Sequence, residues 1–119
     1  MSKKERLLMS KPIRNEAVSV RTVDNNELEI TIHRKKTKLV VLFSKVFKLP
    51  ETRKIILDKI GACVWTLCDG NKTVNDIIKV FSKKYSLGRE KAKRSLLIYL
   101  RQLTYRGLIA IVVPKQEKI

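Results

Sequence analysis

Leu57-Asp58-Lys59-Ile60-Gly61-Ala62-Cys63-Val64-Trp65-Thr66-Leu67-Cys68-Asp69-Gly70, followed after two residues by Thr73-Val74-Asn75-Asp76-Ile77-Ile78, joins the end of one helix to the start of another. From about Glu51 to Asp69 the residues Ile56, Ile60, Val64 and Leu67 recur at steps of three and four, with Leu57, Gly61 and Trp65 alongside. This spacing predicts an amphipathic helix. Gly70 suits a left-handed cap that ends it. Thr73 and Asp76 then stand three apart, where their side chains can bond backbone N–H groups of a new helix N-terminus, and Val74, Ile77, Ile78 and Phe81 supply its buried stripe. That second helix ends near Tyr85. After Ser86-Leu87-Gly88 a third runs from about Arg89 to Arg106, with Ala92, Leu96, Tyr99, Leu100 and Leu103 inward, and Gly107 stops it. Leu108 to Val113, rich in β-branched residues, reads as a closing strand before Pro114.

Toward the N-terminus the period changes from helical to alternating. Val18, Val20 and Val23 form a strand that stops at the turn-prone Asp24-Asn25-Asn26. Leu28, Ile30 and Ile32 then alternate with Glu27, Glu29, Thr31 and His33, as in a sheet with one dry and one wet face, which puts His33 in water. Arg34-Lys35-Lys36-Thr37 reads as a turn. The unbroken apolar run Leu39-Val40-Val41-Leu42-Phe43 reads as a strand covered on both faces, with a short buried helix as the alternative. Residues 1–16 show no periodicity and are expected to be a flexible basic arm. Residues 17–114 are expected to form one domain and 115–119 a tail. The fold class is therefore α+β: an N-terminal three-stranded antiparallel sheet, a three-helix winged-helix-like module, and a short C-terminal strand.

The chain has 119 residues, with 27 Lys and Arg against 11 Asp and Glu, for a formal charge of +16. Such a field favours anionic partners without choosing among phosphate, lipid and acidic peptide. Cys63 and Cys68, five apart on a helix, face different sides and read as small hydrophobes; with one His in the chain they make no metal-ligand set. No metal and no cofactor is expected. Leu7-Leu8-Met9 is too short for a signal core or a membrane span, and reduced cysteines fit the cytoplasm.

The Gly61-Ala62 and Val64-Trp65 pairs, the Cys68-Asp69-Gly70 helix end, Thr73-Val74 and the run from Leu100 to Gly107-Leu108-Ile109 together resemble the PqqD family of pyrroloquinoline quinone synthesis proteins and their relatives. The resemblance covers roughly residues 18 to 112. It implies a non-catalytic recognition element, chaperone-like, that captures the leader of a ribosomally made precursor peptide and works beside a radical S-adenosylmethionine (SAM) enzyme. The leader would add as a strand against Leu39, Val40, Val41, Leu42 and Phe43, with the third helix as the other wall. On that helix Arg94, Leu97, Arg101 and Tyr105 fall off the Leu96, Leu100 and Leu103 stripe, so these four are the candidate wall residues. Guanidinium groups there suit an acidic leader. The charge is higher than a peptide clamp needs, so the pathway does not carry over from the family.

No enzyme is expected. Asp69 and Asp76 are explained by capping, Asp58 by a polar face and Trp65 by the core, while His33 lacks a nucleophile partner. The second reading is a winged-helix DNA- or RNA-binding protein, using Lys91, Lys93, Arg94 and Arg101 on the third helix together with the basic arm. Against it, the third helix offers Gln102 and no Asn to read adenine. The N-terminal sheet, which a minimal winged helix does not need, favours the peptide reading.

Overall fold

The computed structural model describes residues 2–33 and 52–115. The chain divides into two compact units, Glu16–Lys59 and Met1–Asn15 with Ile60–Ile119.

In the first unit three strands, β2 (Val18–Thr22), β3 (Leu28–His33) and β4 (Thr52–Leu57), form an antiparallel sheet in the order β2-β3-β4. The register aligns Val20, Ile30 and Ile55 across the three strands, and likewise Thr22, Leu28 and Leu57. Because side chains alternate, Ser19, Thr31 and Lys54 share the opposite face with Arg21, Glu29 and Ile56. The division into a dry and a wet face was readable in β3, and His33 is indeed exposed, 2.9 Å from the Ser19 hydroxyl. Glu29 pairs with Arg21 and, at 3.6 Å, with Lys54, and the Arg21 hydrogen bond holds its carboxyl below the usual range. Between β2 and β3 a single 3-10 turn, Asp24–Asn26, places Asn25 and Asn26 at φ 61°, a left-handed conformation that Asn tolerates better than most residues.

One expectation is corrected here. The sequence predicts a helix from about Glu51, but Thr52–Leu57 is a strand and helix α2 spans Lys59–Leu67. Ile55 and Leu57 are buried while Ile56 between them is 51% exposed, an alternation of period two. Ile56 and Ile60 are spaced like helix neighbours only because a strand and a helix meet between them. The buried side of α2 is accordingly Gly61, Ala62, Val64 and Trp65, not the Ile60 and Leu67 line. The expected strand Leu39–Phe43 and the turn before it lie outside the described residues.

The second unit holds α1 (Lys3–Leu8), β1 (Lys11–Arg14), α2, α3 (Val74–Lys84), α4 (Arg89–Tyr105) and β5 (Ile109–Val112). Its core is the apolar faces of the last three helices: Val64, Ile77, Ile78, Phe81, Leu96 and Leu100 are each 2% exposed or less. Each such side chain contributes about 1.5–3 kcal/mol relative to staying exposed. Thr73 and Asp76 make the expected capping box at the start of α3, with 3.1 Å bonds in both directions. Gly107 at φ 75° ends α4 in left-handed geometry, whereas α2 ends at Leu67 and Gly70, at φ 82°, stands three residues beyond it with its N–H bonded to the Pro12 carbonyl. Trp65 is a core residue, as its neighbours imply, and its indole N–H donates to the Leu108 carbonyl at 3.0 Å.

The N-terminal segment departs from the aperiodic arm expected of it. Lys11–Arg14 pairs antiparallel with β5, from Lys11 opposite Val112 to Arg14 opposite Ile109. On its other side the Gly70 N–H donates to the Pro12 carbonyl at 2.9 Å and the Arg14 N–H to the Cys68 carbonyl at 3.0 Å. Four residues are too few to show a period, and Pro12 reads as a breaker; here it is fully buried in a short strand held on both edges.

Candidate functional site

The second unit carries an apolar cleft built from three elements that the anchoring of β1 brings together. Ser10, 1% exposed, ties α1 to α3: its hydroxyl donates to the Arg6 carbonyl at 2.7 Å, and its own carbonyl accepts the Val74 N–H at 2.8 Å. Arg6 reaches past β5 to the Pro114 carbonyl at 3.3 Å. These bonds hold α1 although none of its residues is fully buried. The cleft has a volume of about 480 Å³, within the usual range for ligand sites, and is lined by Leu7, Leu97, Leu100, Arg101, Thr104, Tyr105 and Ile111. All the lining residues belong to the one unit.

Three of the four wall residues expected on the third helix, Leu97, Arg101 and Tyr105, therefore line one cavity. Their spacing of four places them on successive turns of α4. Arg94 is exposed on the same face of α4 but does not line the cleft. Leu100 was readable only as core; it is 2% exposed and also forms part of the cleft wall. Leu7, Thr104 and Ile111 were missed. Leu7 sits in a stretch whose charged neighbours hide a three-residue apolar run, and nothing local marks it as a wall of anything. Tyr105 is 93% exposed, an unusual position for so large an amphipathic ring.

The cleft's surroundings are basic. Arg101 contributes the only charge among the lining residues. Lys93, one turn before Leu97 on α4, is held below the ordinary lysine range by the hydrogen-bonding proximity of Lys4 on α1. Two ammonium groups this close repel, and a nearby anion relieves the repulsion.

In the other unit, among the described residues, β4 pairs with β3 alone. Thr52, Arg53 and Lys54 at its start are all exposed. The run Leu39 to Phe43, which the family resemblance assigns to peptide binding, lies outside the described residues.

The two cysteines differ in their surroundings. Burial pushes the Cys68 thiol up to about 12, and its Sγ donates to the Val64 carbonyl at 3.2 Å. Cys63, half-buried, lies 3.4 Å from the Lys84 ammonium, which donates to its sulfur. Asp69 binds the Lys72 ammonium at 2.6 Å and the Asn71 and Lys72 N–H groups, which holds its carboxyl well below the usual range and closes the turn between α2 and α3. Among the described residues no three His, Cys, Asp or Glu side chains gather as metal ligands. Nor is any described helix long and apolar enough to cross a membrane.

The family described as coenzyme PQQ synthesis protein D (PqqD) matches residues 47–109, more than half of the chain. Among solved structures the chain is similar to "TbiB1 in Complex with the TbiA(beta) Leader Peptide", with a TM-score of 0.56 and 22% identity over 82% of this chain and 93% of that one. At that identity the likeness speaks for the fold. No curated protein matches.

Proposed function

This chain belongs to the PqqD family, and from that we propose that it is a non-catalytic module that binds the leader of a ribosomally synthesised precursor peptide. It presents that peptide to a separate modifying enzyme of the radical SAM type. The observation that carries this is the apolar cleft on α4, whose wall holds Leu97, Arg101 and Tyr105, three of the side chains that the family resemblance assigns to the peptide groove. An extended peptide that adds to a sheet edge gains main-chain hydrogen bonds whatever its sequence, while pockets for alternate side chains supply selectivity. Each such bond contributes about 0.5–1.5 kcal/mol. The protein does no chemistry of its own in this reading; it raises the effective concentration of the peptide at its partner and fixes its orientation. The fold match to a protein solved with a leader peptide supports the same assignment.

The net charge of +16 favours acidic leaders, and it also supports the second reading, nucleic-acid binding through the Lys91, Lys93, Arg94 and Arg101 face of α4. One experiment separates them. Amide-resolved NMR of the full chain is titrated with acidic precursor peptides encoded beside its own reading frame, and with mixed-sequence duplex DNA at two salt concentrations. Shifts on α4 at Leu97, Arg101 and Tyr105 on adding one peptide, with DNA binding that collapses at higher salt, are expected. Salt-robust DNA binding through α4 with no peptide response would overturn the proposal.

A further inference from the structure

We infer that α1 is a hinged strap: it swings on Ser10 while β1 stays in place, and an oxyanion seated between Lys4 and Lys93 holds it shut. The family match begins at residue 47, so the strap lies outside it.

The two halves of the N-terminal segment are held very differently. β1 is bonded along both edges, to β5 through four register pairs and to the turn at Gly70 through the Pro12 carbonyl and the Arg14 N–H. α1 has six residues, none of them fully buried. A helix that short is marginal by itself, so α1 keeps its form by docking and melts on release. Arg6 ties it to the body of the unit through the Pro114 carbonyl at 3.3 Å, long for such a bond, and among the described residues the buried Arg6 Nε has no partner, which weighs against the docked position. Ser10 belongs to the fixed side, since it is 1% exposed and its carbonyl accepts the Val74 N–H at 2.8 Å. Its hydroxyl bond to the Arg6 carbonyl at 2.7 Å is the one that opens when α1 leaves. Segments with so little burial open before the elements they lie on.

Charge opposes the closed position as well. Lys4 on α1 stands within hydrogen-bonding proximity of Lys93 on α4, and both ammonium groups are donors only, so neither satisfies the other. Arg89 adds to the positive field at Lys93 and Glu90 opposes it, both from α4. Among the described residues neither Lys4 nor Lys93 forms an ion pair. An oxyanion between them accepts from both and turns a repulsion into two charge-assisted bonds. Closing the strap seats Leu7 in the wall of the cleft beside α4, so the anion is coupled to the shape of that cleft. Carboxylate and phosphate share this chemistry. Where the source is an Asp or Glu of the leader, the step rests on the peptide-binding reading; a free phosphate closes the strap without any peptide.

The test is amide exchange by NMR on the full chain, read at the Arg6 and Met9 N–H groups of α1 against the Arg14 and Gly70 N–H groups that hold β1. It is run at one pH in sodium chloride and in sodium phosphate of equal ionic strength, which separates a bound anion from screening, and then with acidic precursor peptides encoded beside the chain's own reading frame. In chloride the α1 pair should exchange about tenfold faster than the β1 pair, or more. Phosphate should slow the α1 pair about two- to fivefold, the scale of one exposed charge pair, and leave the β1 pair unchanged. Lys93→Gln removes the repulsion, so it should slow the α1 pair in chloride and abolish the response to phosphate. Lys93→Glu sets a carboxylate beside Lys4 and should do the same more strongly. A peptide that slows α1 as phosphate does assigns the anion to its carboxylates. Exchange in α1 as slow as in β1, or indifferent to phosphate, peptide and both variants, would overturn the inference, and peptide-induced shifts at Leu97, Arg101 and Tyr105 would then leave the peptide-binding reading standing. A phosphate effect with no response to any peptide would overturn that reading and leave the strap.

Discussion

Gly70→Ala and Gly107→Ala make a matched pair that measures how tightly β1 is held against the turn between α2 and α3. Both glycines are left-handed, at φ 82° and 75°, so either alanine incurs the same backbone penalty, about 1–2 kcal/mol. Their surroundings differ. A Cβ on Gly107 meets nothing within 4 Å, whereas one on Gly70 falls 3.0 Å from Ile13 Cδ1 and 3.2 Å from Cγ1. Ile13 is 36% exposed and its side chain can turn aside, so the added cost is that of an off-rotamer side chain, about 0.5–1.5 kcal/mol. G70A should therefore lose about 1.5–3.5 kcal/mol and G107A about 1–2 kcal/mol. In an Ile13→Ala background the gap between them should close, because the atoms that cause it are gone. Urea unfolding followed by the fluorescence of Trp65, the sole tryptophan, reads the unit that contains all three positions. Equal losses in the parent, or a gap that persists with I13A, would refute the claim that β1 packs against this turn.

Trp65→Phe should cost about 1–3 kcal/mol, because the buried Leu108 carbonyl loses the indole donor, and the Leu108 resonances should shift with it. Thr73→Ala should cost about 1 kcal/mol by opening the capping box, with faster amide exchange in the first turn of α3. Asp69 and Asp76 titrate below their ordinary 3.8, held down chiefly by the Lys72 ammonium and the Thr73 backbone N–H. Depressed carboxylates contribute stability that is present above the unfolded value and lost as pH falls through the folded one. Unfolding midpoints should therefore drop below about pH 4, and less steeply in the Asp69→Asn, Asp76→Asn variant. A maleimide should modify half-buried Cys63 in the native chain and Cys68 only after unfolding; equal native rates would contradict the burial of Cys68.

Local signals carried much of this architecture. The Thr73–Asp76 box, the glycine stop at 107 and the alternation in β3 are each decided by backbone geometry within a few residues, and each stands where the sequence puts it. The strand Thr52–Leu57 was misread because Ile56 and Ile60 keep helical spacing across a junction, and only pairing with β3 distinguishes the two periods. The α4 face of Leu97, Arg101 and Tyr105 was legible from helical spacing alone, since one helix arranges its own side chains. Its companions were not.

What the sequence by itself determined, then, was the class of each element whose period or cap is local, the sign of the charge, and the family motifs of the helical region. What only the tertiary structure decided was the use of the first fourteen residues. Pro12 and Ser10 are buried, and Leu7 faces a cleft, because β5, nearly a hundred positions later, and the turn at Gly70 supply the hydrogen-bonding partners. A strand of four residues has no periodicity strong enough to announce itself. Its stability comes from bonds to distant chain, and those exist only once the fold has closed.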